Sequence, residues 1–262
     1  MFGNLENPIS DKGKKVGSIY SFRADPKAIE GLVFAGFNIL SVANNHIFDY
    51  GREAMEDNFL RLKKAGIDYV GGGFSEKDYN PPTASSRSPA GERAPAYSPA
   101  VVKEIKGIKI AFLAYTNLGS KLWAANGERG GIGWLEKERM EKERMEKEIK
   151  EIKEQADLVI ISFHYGEEYH SAPTPFQISI SRAAIDAGAD LIVGHHSHVV
   201  QPIEKYKSGY IAYSLGNFIF DQGFSEETMR SLILKVLIEN SKIKKVVPIE
   251  IKINKYFQPE LK

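Results

Sequence analysis

DLVIISFH, residues 157–164, and ADLIVGHHSH, residues 189–198, are the two stretches on which the fold turns. Each contains a short run of Leu, Ile and Val of the kind buried on both faces of a parallel sheet, and each runs into histidine. Between them, Thr174-Pro175 opens and Gly188 closes a segment with Ile178, Ala183, Ala184 and Ile185 available to one apolar side, which predicts a helix. Strand, helix, strand is the unit of an α/β sheet, and such sheets assemble their sites in the loops at one end of the strands.

The same rhythm extends upstream. Asp25 and Pro26 start a predicted helix that Gly36 ends, residues 37–43 form an apolar strand, and that strand runs into Asn44-Asn45-His46. A helix is expected over residues 52–65 and a short strand over 68–70. Residues 101–116 read as two strands joined at Lys106-Gly107, and 210–215 as another, ending in Gly216-Asn217-Phe218. Residues 232–253 alternate like an antiparallel hairpin or sheet edge. No strand or helix is expected ahead of Asn4, Leu5 and Glu6. Two segments differ in composition: 80–100, rich in Pro, Ser and Ala, reads as a disordered insertion, and 135–155, with EKERM twice, as an exposed ion-paired helix. The rest fits one domain spanning residues 1–262.

Bulk properties narrow the chemistry. The 262 residues carry 35 basic and 34 acidic side chains, so no global field draws the protein to nucleic acid, and an anionic substrate must be recognised locally. There is no cysteine, which removes thiolate ligands, cysteine nucleophiles and disulfides. The chain has neither a signal-peptide core nor a run of the roughly 20 apolar residues that span a bilayer, and reads as soluble as written.

Five of the six histidines follow three apolar strands: His46, His164, and His195, His196 and His198. A single strand-end histidine is ordinarily structural, but three strand ends that all lead into histidine point to a site. Imidazole, carboxylate and amide donors without thiolate suit Mn, Fe or Zn. His196 and His198 are two residues apart, on one side if the loop stays extended. His195 is read as a neighbour of the ligands. Asn45 offers an amide oxygen to a metal, while His46 is available to protonate a leaving group, with Asp49 placed to fix its tautomer. The competing reading makes Asp49-Tyr50-Gly51 a plain turn. Of Glu167 and Glu168 beside His164, one is expected to face the site.

FGNLENPIS, LSVANNHIFDYG, ISFHYGEEY, GADLIVGHHSHVVQPIE and YSLGNFIFDQ, in this order, resemble the CapA-like proteins of capsule and poly-γ-glutamate synthesis, within the metallophosphatase (calcineurin-like phosphoesterase) superfamily. The resemblance runs from about residue 3 to about residue 253. It implies an α/β fold, a four-layer α-β-β-α sandwich with a two-metal site among strand-end loops. It also implies Glu6, Asn45, His164, His196 and His198 as metal ligands and His46 as the catalytic imidazole, with Asp49 its partner. Asn4, Glu168, His195 and Asn217 would surround them, and Ser214, Gly216 and Phe218 would shape the pocket floor. Two divalent transition metals are expected. The family's opening Gly-Asp strand has no counterpart ahead of Asn4, so the first strand is missing and this chain is expected to hold as few as one metal.

Two function classes follow. One is a hydrolase in which metal-activated water attacks a phosphoester or a polymer-linked bond, the substrate being an anionic phosphoester or a γ-glutamyl polymer. The other is a polymer-handling or scaffold subunit of a membrane synthesis complex. If a further N-terminal segment precedes Met1, the resemblance implies an extracytoplasmic, membrane-anchored protein.

Overall fold

Short apolar runs alternating with amphipathic stretches give a mixed α/β chain, and the computed structural model describes residues 1–16, 18–75, 100–126, 129–136 and 139–261. The chain begins with β1 (Phe2–Asn4), α1 (Ala28–Phe34), β2 (Ile39–Ser41), α2 (Gly51–Lys64), β3 (Asp68–Val70) and β4 (Gly72–Gly73). It continues with β5 (Ala100–Ile105), β6 (Ile108–Thr116), β7 (Gly131–Ile132), α3 (Arg139–Lys153), β8 (Leu158–His164) and α4 (Pro175–Ala187). The last elements are β9 (Leu191–His195), β10 (Ile203–Tyr206), β11 (Gly209–Ala212), β12 (Arg230–Glu239), β13 (Lys242–Ile253) and β14 (Pro259–Leu261).

Two compact units result: Met1–Val101 with Ala114–Trp134, and Val102–Leu113 with Leu135–Lys262. In the first, β1, β2 and β3 form a parallel sheet in that order, and β4 pairs antiparallel with β7. Helix α2 buries Ala54, Met55, Phe59 and Leu62, a spacing that puts them on one stripe. Met55, Phe59 and Leu62 join Leu40, Val42, Ile47, Phe48, Ile67, Phe74 and Ile132 in a continuous core. Phe59 stacks on Tyr69 with ring centroids 4.5 Å apart, and Phe48 stacks on Trp123 at 5.1 Å.

The second unit is built on a six-stranded sheet in the order β10-β11-β9-β8-β6-β5. Strand β8 is buried along its whole length, as an uninterrupted apolar run requires when both faces are covered. Helices α3 and α4 pack on each other, α3 on β8 and α4 on β9 and β11. Thr174 caps α4 and forms a capping box with Gln177, Pro175 occupies the first turn, and Gly188 ends the helix at φ +121°. Strands β12, β13 and β14 make an antiparallel sheet. Asn240 and Ser241, both in the left-handed region, form the two-residue turn of the β12–β13 hairpin.

Several expectations need correction. A strand does precede Leu5: Phe2, Gly3 and Asn4 pair in parallel with Ile39, Leu40 and Ser41. Asp25 does not cap α1, which begins at Ala28; its Oδ1 accepts the Lys27 N–H at 2.8 Å and closes a turn ahead of the helix. The strand expected over 37–43 is ordered as a ladder only over Ile39–Ser41. Ala100 opens β5, and the rest of the expected insertion, 80–99, lies outside the described residues. Strand β10 was not expected, because IEKY is short and half polar; it is stabilised by antiparallel pairing with β11. Among the described residues no helix is long and apolar enough to cross a membrane.

Candidate metal centre

In the second unit, β8 and β9 are parallel neighbours and place His164 directly beside His195. Gly194 makes this register feasible: a Cβ there would lie 1.9 Å from the Tyr213 carbonyl oxygen, so only glycine admits the close approach of backbone. Beyond β9 the chain does not stay extended. His196 and His198 both adopt positive φ, 90° and 56°, so two left-handed residues rather than an extended loop bring the imidazoles to one place. Their ring centroids are 6.0 Å apart, and His196 lies 5.0 Å from His164.

Glu168 stands with these two in a group that could hold a metal ion. Its carboxylate and the ring nitrogens of His196 and His198 all lie within 4.8 Å of one another. Glu167 turns elsewhere, to His170 at 2.9 Å. Two imidazoles and a carboxylate suit a divalent transition ion, and bonds of about 2.0–2.2 Å to one ion need only small side-chain movements from this spacing.

The tautomer of His198 is set by its hydrogen-bond partner. Asn217 donates through Nδ2 to the Thr228 carbonyl and to Gln222 Oε1, each at 3.1 Å. Its Oδ1 therefore faces His198 Nδ1 at 2.8 Å and must accept. A proton on Nδ1 leaves the lone pair on Nε2, the arrangement a metal ligand requires. Tyr169, itself at φ 62°, stacks on His198 with centroids 5.9 Å apart, donates its N–H to the Ser197 carbonyl at 2.8 Å and accepts Gln222 Nε2 at its hydroxyl. Phe220 approaches His198 from 5.0 Å. His195 is half-buried as a residue, but its Nε2 is buried with no hydrogen-bond partner among the described residues. Burial lowers its pKa to about 4, so it is neutral near pH 7.

In the first unit, the strand end of β2 carries a second group. His46 Nδ1 lies 2.8 Å from Asp49 Oδ2, and the same oxygen accepts the Phe22 N–H at 2.7 Å. The Phe22 ring packs edge-on to His46 at 4.8 Å. Asn44, wholly buried, accepts the His46 N–H and donates to the Leu5 carbonyl at 2.8 Å, which ties the segment after β1 to this loop. Asn45 sits half-buried between them. Asn4 Nδ2 donates to Glu6 Oε2 at 3.2 Å, and Asn4 Oδ1 is buried with no hydrogen-bond partner among the described residues. A buried amide oxygen left without a donor fits a cation-binding role, since such a group is costly unless something satisfies it. Asn44, Phe22 and Tyr169 were missed in the sequence; only Asn44 left a trace there, as the first of two asparagines before His46.

The profile of the family described as bacterial capsule synthesis protein PGA_cap matches residues 1–222. The capsule biosynthesis protein CapA of Bacillus anthracis is 34% identical over 261 residues, which cover 95% of this chain and 57% of that protein. The PGA biosynthesis protein CapA of Bacillus subtilis is 33% identical over 252 residues, 95% of this chain and 60% of that one. The chain thus spans somewhat more than half the length of these relatives. Among solved structures, sulfate thiohydrolase SoxB of Thermus thermophilus superposes with a TM-score of 0.53 at 11% identity, covering 87% of this chain and 35% of that one. That likeness concerns the fold, a mixed α/β fold of metallophosphatase type.

Proposed function

Because the chain belongs to the bacterial capsule synthesis protein PGA_cap family, we propose that it is a metal-dependent hydrolase of capsule or poly-γ-glutamate synthesis that cleaves a phosphoester or polymer-linked bond. The observation that carries this reading is the Glu168–His196–His198 ligand set, with the His198 tautomer fixed by Asn217. Glu6 and Asn45 in the first unit and His164 in the second are proposed as further ligands. Asn4 and His195, each with a buried polar atom that has no hydrogen-bond partner among the described residues, are proposed to stand beside the ligands.

Divalent metals, when bound, supply Lewis acidity that makes water nucleophilic near neutral pH. The protein's own residues do the rest. His46 donates a proton from Nε2 to the leaving-group oxygen, and Asp49 holds its Nδ1–H and so its orientation. Phe22 packs against the His46 ring and donates its N–H to Asp49, fixing the pair further. The substrate proposed is an anionic phosphoester or a γ-glutamyl polymer, met in a membrane-associated, extracytoplasmic synthesis complex.

The test compares His46→Ala with His196→Ala. Elemental analysis should find metal retained in the first and reduced in the second. With a phosphodiester of poor leaving group, His46→Ala should lower turnover by roughly 10²–10⁴, the usual size of a lost general acid. If metal-replete protein cleaves neither phosphoesters nor a γ-glutamyl polymer, the scaffold reading replaces the hydrolase one.

A further inference from the structure

The second unit carries its charge unevenly. Residues 230–255 hold seven Lys and Arg against two Glu, a local charge of +5 in a chain whose total is +1. Lys235, Lys242, Lys244, Lys245 and Lys252 are all exposed. Among the described residues, only Lys244 of these five forms an ion pair, with Glu239 at 2.7 Å.

The register of the β12–β13 hairpin gathers four of these lysines over its distal half. Lys235 lies opposite Val247 and Leu237 opposite Lys245, so Lys235 and Lys245 are diagonal neighbours on one face. Lys242 lies opposite Glu239, and the register shift at Leu237/Ile238 leaves Lys244 as the extra residue of a bulge. Lysine on an exposed hairpin also deters edge-to-edge pairing, but charge of either sign does that. An excess of one sign in a nearly neutral chain calls for an anion. Side chains two apart on a strand are about 7 Å from each other, so the lysines form a spaced array suited to an extended polyanion rather than to one small ion.

The root of this hairpin is tied to the candidate metal centre. Leu232 donates its N–H to the Leu215 carbonyl at 2.9 Å, Ser231 bridges to Gly216, and the Thr228 carbonyl accepts the Asn217 amide that orients His198. From Ser231 to Glu239 the strand runs about 26 Å at about 3.3 Å per residue.

We propose that the β12–β13 hairpin is a docking track for an acidic polymer, a polycarboxylate chain such as γ-linked polyglutamate, leading from Lys242–Lys245 at its tip toward His198 at its root. The choice of polymer rests on the functional reading above; the cationic array does not. Each exposed ion pair is weak and screened, so affinity comes from many contacts at once and falls steeply with salt.

The experiment titrates fluorescent γ-polyglutamate of defined length into the whole protein at low salt and at about 0.5 M salt. Wild type should bind at low salt and release at high salt. The quadruple variant Lys235→Gln, Lys242→Gln, Lys244→Gln, Lys245→Gln should bind at least tenfold more weakly, and the same four positions changed to Arg should bind as wild type. The double variant Lys235→Gln, Lys245→Gln keeps Lys242 and Lys244, and should show an intermediate loss if the quadruple one aggregates. Metal content and turnover of a small phosphoester should be unchanged throughout. Equal binding by the Gln variants overturns the proposal, as does no binding by wild type, or equal binding of wild type to a DNA oligonucleotide or anionic vesicles. No polymer binding by wild type with its phosphoester turnover intact counts against the track alone, and absent turnover in wild type with binding intact counts against the hydrolase alone.

Discussion

His198 Nδ1 and Asn217 Oδ1 are 2.8 Å apart, and because the Asn217 amide nitrogen is committed to Thr228 and Gln222, the proton between them belongs to the imidazole. Asn217→Leu should therefore weaken metal binding by about 10–100-fold, the usual effect of losing a partner that orients a ligand. Asn217→Asp keeps an acceptor for Nδ1–H and should stay closer to wild type. Metal titration by calorimetry separates the two, and equal affinity in Asn217→Leu and wild type would remove Asn217 from the site.

Metal removal should lower thermal stability. A ligand that binds only the folded state at 100 times its Kd stabilises by about 2.7 kcal/mol. Dialysis against a chelator should lower the Tm of wild type, and added Mn or Zn should restore it. His196→Ala should show a smaller response to either treatment.

Asp57 predicts how stability depends on pH. Burial alone would raise its pKa, but hydrogen bonds from Ser10, Arg61 and Lys12 and the Arg61 charge outweigh that and hold the carboxyl below its ordinary value of 3.8. Ser10 Oγ and Arg61 Nε each lie 2.6 Å from Asp57 Oδ2. A carboxyl whose pKa is lower in the folded state stabilises above its unfolded value, and that contribution is lost as pH falls through the folded one. Urea titrations from pH 6 down should show stability falling below about pH 4. Asp57→Asn should be less stable at pH 6 and should flatten that part of the profile.

Gly194→Ala should be destabilising by about 2–3 kcal/mol, since its methyl group has no room beside the Tyr213 carbonyl. The same change shifts the end of β9, so metal affinity should fall along with the denaturation midpoint. A variant with wild-type stability would mean that β9 and the chain around Tyr213 can part without cost.

What could be read in the sequence was local. DLVIISF, Thr174-Pro175 and Gly188 declare β8 and α4 because an apolar run, a cap and a stop are each properties of a few neighbouring residues. The histidines at strand ends were legible for the same reason. How His196 and His198 meet was not, because it depends on two left-handed residues that no periodicity announces. Phe22 was invisible as a site residue, since it reaches Asp49 across 27 residues, and the bond from Asn44 to Leu5 across 39 residues could not be read from its place before His46. Strand β1 escaped notice because three residues carry no pattern, and only β2 gives them one.

Tyr169, His196 and His198 each hold a backbone conformation that a chain selected for stability alone would assign to glycine or asparagine. Residues in sparsely populated conformations cost of order 1–3 kcal/mol each and persist only when their surroundings enforce them. The second unit thus trades thermodynamic reserve for a fixed arrangement of imidazoles. Its tolerance of mutation should be lowest around this loop, where natural variation has the least stability to spend.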